Sequence, residues 1–292
     1  MKDMKKTFIT LIIYLFLPAL CLKLCQWIFN FTYDRTNLYH IAWYNIIADF
    51  VLMILVVLLS IDIFKKNKPL KGDGNESKVE TYITTIIKCA AVFYLVKIGS
   101  TFIVAIITQI FGLNSISYNQ ELLEQIFRCA PILTALTGAI CAPIVEELIF
   151  RGAIKRVIKN KKVFIIVSGL TFGLLHVLRY ISPVFCILIA GILIDIIFES
   201  KLDKNRKFKL YVLTIVVMLF VSILSVHIVS GSFYNVLLNI NFSEAINSIS
   251  YIVIGLYLAY IYAKYDNIYI NIWCHIINNA LAYIFLFTTL IK

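Results

Sequence analysis

Residues 130–154 read APILTALTGAICAPIVEELIFRGAI, twenty-five positions in which only Glu146, Glu147 and Arg151 are charged. A helix needs about 20 predominantly apolar residues to cross a bilayer, so this stretch reads as a spanning helix with three charges near one end. Working outward, comparable runs lie at 8–29, 41–64, 82–111, 163–178, 183–198, 210–230, 249–263 and 268–291. The spans at 163–178 and 249–263 are short for a bilayer, which implies tilt or partial insertion. The fold class expected is all-α, a polytopic transmembrane helix bundle of about eight or nine spans.

Composition agrees. Hydrophobic residues make up 61% of the 292 positions and charged residues 15%, against about half and about a quarter in soluble domains. With 5 Pro, 11 Gly and no internal repeat, the chain reads as a single transmembrane domain over 1–292. The run at 8–29 is too long for a signal peptide and ends in no small-residue cleavage site, so it is expected to remain as the first span. The seven cysteines form no CxxC pair, which suggests neither a zinc knuckle nor a disulfide framework and favours small packing residues.

A net charge of +11 would suit a nucleic-acid binder, but its placement argues otherwise. The start of the chain, the segments 65–78, 155–162 and 201–209, and Lys264 hold 19 of the 27 basic residues. The alternate loops hold Arg35, Arg128 and Arg179, and 115–124 reads as a polar loop on that second side. Basic residues accumulate in cytoplasmic loops. The expected partner is therefore the lipid bilayer and no nucleic acid, with the N-terminus cytoplasmic.

Charges within membrane helices are costly and mark functional positions. In Glu146-Glu147-Leu148-Ile149-Phe150-Arg151, Glu147 and Arg151 stand four apart with the acid first, the favourable order for an ion pair. Glu146 has the apolar Phe150 at that spacing and points about 100° away, so the two carboxylates are expected to serve different tasks. A desolvated Glu146 suits general-base chemistry near neutrality, although a charged helix end at the headgroups is the plainer reading. Phe172-Gly173-Leu174-Leu175-His176 places a histidine in the next apolar run, where a packing role competes with a catalytic one. In His275-Ile276-Ile277-Asn278-Asn279, His275 and Asn279 share one helix face. Two donors on one face suit an oxyanion or helix–helix hydrogen bonding. His40 reads as an interfacial residue.

Taken in order, Glu-Glu-x-x-x-Arg, Phe-x-x-x-His and His-x-x-x-Asn on three separate apolar runs resemble the CAAX-processing and bacteriocin-processing (Abi, or CPBP) intramembrane protease family. The strings EELIFRG (146–152), FGLLH (172–176) and HIINN (275–279) carry the likeness, which places a protease-like core at about 130–291. The 98 residues between His176 and His275 exceed the family's usual spacing and imply an inserted helical hairpin at about 183–230. That insertion supplies a rival middle histidine, His227. Ile223 rather than Phe precedes it by four, so His176 is preferred.

The resemblance implies an intramembrane endopeptidase acting on a peptide-precursor or membrane-protein substrate. In it Glu146 and His176 activate water, His275 and Asn279 form the oxyanion hole, and Glu147, Arg151 and Phe172 support them. No cofactor is expected. The alternative, also drawn from the family, is zinc held by Glu146, His176 and His275, although no HExxH is present. The Ile-, Lys- and Asn-rich usage resembles an AT-rich bacterium, where relatives serve peptide maturation or bacteriocin immunity in the cell membrane. The rival class is a non-catalytic membrane scaffold or transporter, which Lys23, Lys88 and Lys97 in or near spans would suit. The repeat symmetry and Gly/Pro-broken helix pairs of transporters are missing. Oligomeric state is left open.

Overall fold

The computed structural model describes residues 38–70, 77–113, 116–176 and 242–290, with scattered positions at 6–24 and 192–209. The protein is all-α, and no strand occurs among the described residues. The helices are α1 (Leu38–Leu59), α2 (Ile61–Lys65), α3 (Lys78–Ile110), α4 (Tyr118–Cys129), α5 (Pro131–Val157), α6 (Lys161–Leu175), α7 (Phe242–Tyr265) and α8 (Ile268–Leu290). The described positions within 6–24 are also helical. Four of these helices, α3, α5, α7 and α8, are long and apolar enough to cross a membrane, and 46–59 of α1 forms a shorter apolar stretch. The expected span at 210–230 and His227 lie outside the described residues, as do the span at 183–198 and the inserted hairpin at 183–230 but for the scattered positions at 192–209.

Two sequence expectations change. The polar stretch 115–124 is not simply a loop: from Tyr118 it winds into α4. Leu122, Leu123, Ile126 and Phe127 recur at helical spacing, opposite a polar face on which Gln120 donates to Glu124 at 2.9 Å. Phe127 and Leu123 pack with Ala139, Tyr283 and Leu286. The run at 249–263, short as an apolar segment, belongs to the 24-residue α7. Its polar first turns, with Ser243, Asn247 and Ser248 buried, concealed that length from a hydropathy reading.

The chain forms two compact units. The first comprises 1–95, 119–156 and 264–292, and the second 96–118 and 157–263. In the first unit α5 packs against α1 and α8. Leu148, Ile149, Phe150, Ala153 and Ile154 of α5 are almost wholly buried there. Its basic end is tied together by charge. Asp62 accepts from Arg156 at 2.7 Å and from Lys6 at 3.3 Å, and Arg156 also donates to the Leu59 carbonyl. Lys68 pairs with Asp266 at 2.6 Å, while Asn267 donates to the Lys68 carbonyl and the Tyr82 hydroxyl. Burial disfavours the ionised Asp62, but the guanidinium and ammonium beside it prevail and hold its carboxyl below the usual aspartate range.

In the second unit α6 and α7 approach closely because glycines face the contact. A methyl at Gly173 would stand 2.5 Å from the Ile252 backbone, and one at Gly255 would stand 2.7 Å from the Gly169 carbonyl oxygen. Gly169 and Gly173 form a Gly-x-x-x-Gly pair, the spacing that lets membrane helices pack backbone to backbone.

Candidate functional site

Helix α5 is not a uniform α-helix. It widens to π-helical turns at Thr137–Cys141 and Glu147–Ala153, and single π turns are frequent at functional sites. The first has a local cause. The Ala142 N–H reaches back five residues to the Thr137 carbonyl. The next donor in that pattern would be Pro143, which has no N–H. The carbonyl left over, that of Gly138, accepts instead from Asn279 Nδ2 of α8 at 2.9 Å. In the second π segment the Ala153 carbonyl accepts from Thr7 Oγ1 at 2.9 Å.

The second π segment opens on Glu147, which is completely buried and surrounded by donors. Its Oε1 accepts from His275 Nδ1 at 2.8 Å, and its Oε2 accepts from Asn271 Nδ2 at 3.2 Å and lies 3.2 Å from Arg151 Nε. The expected Glu147–Arg151 ion pair therefore forms, with both side chains at zero exposure. Because the carboxylate accepts at Nδ1, that nitrogen carries the proton, and His275 turns Nε2 toward Glu146, with Oε2 at 3.7 Å. The adjacent carboxylates thus approach one imidazole from its two sides, Glu147 at Nδ1 and Glu146 toward Nε2. An angle of 100° separates two side chains on one helix, but the two nitrogens lie on different sides of the ring and meet both.

Asn271, His275 and Asn279 form an i, i+4, i+8 stripe on α8, which aims all three at α5. Asn279 Oδ1 accepts from Asn278 at 2.8 Å, which fixes the amide so that one N–H meets the Gly138 carbonyl. The amide group has a second N–H to offer. Asn271 was missed in the sequence although its spacing of four before His275 was visible. Asp49 of α1 was missed too. It is a carboxylate within an apolar run and interacts electrostatically with Glu146, Tyr283 and Cys141. The general suspicion of intramembrane charges would have found it.

His176 and Phe172 belong to the second unit. His176 ends α6, and its Nδ1 lies 2.7 Å from the Phe172 carbonyl oxygen. A carbonyl only accepts, so Nδ1 is protonated and Nε2 is the basic nitrogen of the neutral ring. The imidazole stacks on Tyr251 at 5.1 Å between centroids and touches the Phe172 ring at 4.4 Å. Phe172 thus holds His176 through both its carbonyl and its ring, and Tyr251 is an additional support. Among the described residues no three His, Cys, Asp or Glu side chains gather into a metal-holding group.

Residues 128–203 match the type II CAAX prenyl endopeptidase Rce1-like family. The match includes Glu146, Glu147, Arg151, Phe172 and His176 and ends before His275 and Asn279. The chain is also 32% identical over 148 residues to a protein of Mycoplasma capricolum named only as uncharacterized. That similarity covers 47% of this chain and 43% of the relative, so the chain spans less than half the length of the curated relative it matches. No solved structure matches at significant similarity. Over the segment 128–203, this membrane protein is thus similar to the Rce1-like type II CAAX prenyl endopeptidases.

Proposed function

We propose that the protein is an intramembrane endopeptidase that hydrolyses one peptide bond of a membrane-associated precursor. The observation that carries this reading is the Glu147-centred cluster. One buried carboxylate holds Arg151, Asn271 and His275 Nδ1 at once, and so presents His275 Nε2 beside Glu146. In the proposed reaction Glu146 takes a proton from a water, and His176 is the second activating group that the family likeness implies. The resulting hydroxide attacks the scissile carbonyl carbon, and the negative charge passes to the carbonyl oxygen. His275 Nε2 and the second N–H of Asn279 stabilise that oxyanion. Since Nδ1–H is committed to Glu147, His275 donates from Nε2 only as the imidazolium, and the two flanking carboxylates compensate its charge. Collapse of the intermediate breaks the C–N bond, and Glu146 returns its proton to the leaving amine.

The protein is proposed to be multi-pass in a bacterial cell membrane with its N-terminus cytoplasmic. The joining of Lys6, Asp62, Arg156, Lys68 and Asp266 at one end of the first unit supports a shared face for those segments. Peptide maturation or bacteriocin immunity is the proposed setting. The reading takes no metal, with zinc on Glu146, His176 and His275 as its rival, and elemental analysis of purified protein decides between them. The deciding experiment for the activity compares the membrane proteomes of cells carrying the wild-type chain and Glu146→Ala. One precursor accumulating in the variant supports the proposal, and identical proteomes would favour the scaffold reading.

A further inference from the structure

A groove of about 650 Å³ runs between α3 and α8 in the first unit, lined by Lys78, Tyr82, Ile83, Ile87, Trp273 and Ile277 among others. It lies away from the candidate site. Trp273 and Ile277 are two residues to either side of His275, about 200° around α8, so the groove is on the helix's opposite face. Both helices begin at the same end, where Asn267 donates to the Tyr82 hydroxyl and Phe64 packs 5.5 Å from Tyr269. From Lys78 to Ile87 the groove follows α3 for nine residues, about 14 Å at 1.5 Å per residue. Half of a hydrocarbon core of about 30 Å is nearly the same length. Lys78 is the only charged side chain in the lining and stands at the open, basic end, with Lys65 and Lys66 exposed on the same end of the unit. Asp266, the acidic group nearest that end of α8, is already paired with Lys68. Tyr82 and Tyr269 line the same end of the groove, and tyrosines are enriched at membrane–water boundaries.

We propose that this groove binds one acyl chain of an anionic phospholipid, whose phosphate lies against Lys78. The length fits one leaflet's chain from headgroup to midplane, the wall is apolar throughout that length, and the single cation marks the headgroup end. Such a lipid packs behind the helix that carries His275 and Asn279. The inference rests on the membrane placement of α3 and α8 and is independent of the peptidase reading.

The test titrates the full chain in detergent with phosphatidylglycerol and, separately, with phosphatidylcholine of identical acyl chains, and reads bound lipid by native mass spectrometry. Phosphatidylglycerol should bind about fivefold more tightly, as one basic side chain near a membrane surface provides. Lys78→Glu should abolish that preference. Ile83→Trp, which fills the groove from a half-exposed position, should abolish the tight lipid, while Leu95→Trp on the same helix should leave it. Helicity and yield of each variant establish that it folds. Equal binding of the two lipids, a preference that survives Lys78→Glu, or tight lipid retained by Ile83→Trp would overturn the proposal. Retention of an isoprenoid chain with no retention of phosphatidylglycerol would also overturn it.

Discussion

Glu147 and His275, 128 residues apart in sequence, share a 2.8 Å hydrogen bond in the buried contact between α5 and α8. The same carboxylate meets Arg151 and Asn271, so one side chain satisfies a cation, an amide and an imidazole. Glutamine at this position would remove the charge and turn a donor toward one of these donors. Breaking a buried ion pair costs about 3–5 kcal/mol. Glu147→Gln is therefore expected to lose thermal stability and yield as well as activity, as unfolding in detergent would show. Exchanging the charges, as Glu147→Arg with Arg151→Glu, should not restore stability. An arginine at 147 would face the donors of both His275 and Asn271.

Asn279 covers the Gly138 carbonyl that Pro143 leaves over. Asn279→Ala should cost about 1–3 kcal/mol in stability, the usual penalty for stranding a buried polar group. If its second N–H also serves the oxyanion, cleavage should slow by roughly 10²–10³. Loss of stability with an unchanged cleavage rate per folded molecule would remove Asn279 from the chemistry and leave it as a helix clamp.

Acid should loosen the basic end of the first unit. The folded Asp62 carboxyl lies below the ordinary aspartate value of about 3.9. The unfolded chain therefore binds the proton more readily, and the stabilisation is present above that value and fades as pH falls through the depressed one. Thermal stability measured from neutrality to about pH 3 should drop at the acidic end, and Asp62→Asn should flatten that drop. An unchanged profile in Asp62→Asn would contradict the assignment.

Topology can be read by impermeant thiol labelling in a cysteine-free background. Asn160 caps α6 by accepting from the Lys162 and Val163 N–H groups, so the neighbouring exposed Lys161 is the better position on the basic side. Lys161→Cys and Asn119→Cys should label from opposite faces. Labelling from the same face would contradict the nine-span arrangement.

Much of the fold was legible because a bilayer imposes one rule: the apolar runs that became α3, α5 and α8 exceed the length of a spanning helix, and few alternatives satisfy their backbones. The Glu147–Arg151 pair was legible because spacing of four is local. The convergence of Glu146 and Glu147 on His275 was not, because it depends on how α5 and α8 dock. Asn279's contact with Gly138 depends further on a π turn set by Pro143. Helix α4 escaped notice because its apolar stripe is short, and α7 was truncated because its buried first turns are polar. Gly169 and Gly173 spell a helix-packing pair, but their partner Gly255 lies more than eighty residues on, beyond the reach of local pattern.

Glu146 is the proposed base. Its carboxylate stands 3.7 Å from His275 Nε2 with 14% of the side chain exposed, whereas Glu147 is sealed among its donors. Glutamine at 146 keeps the shape and polarity and removes only the capacity to take a proton. The direct measurement is the rate at which Glu146→Gln, purified and shown to be as stable as the wild type, cleaves the precursor that accumulates in Glu146→Ala cells. The rate should fall by roughly 10²–10⁴, the usual contribution of a general base. Cleavage at close to the wild-type rate would contradict the claim.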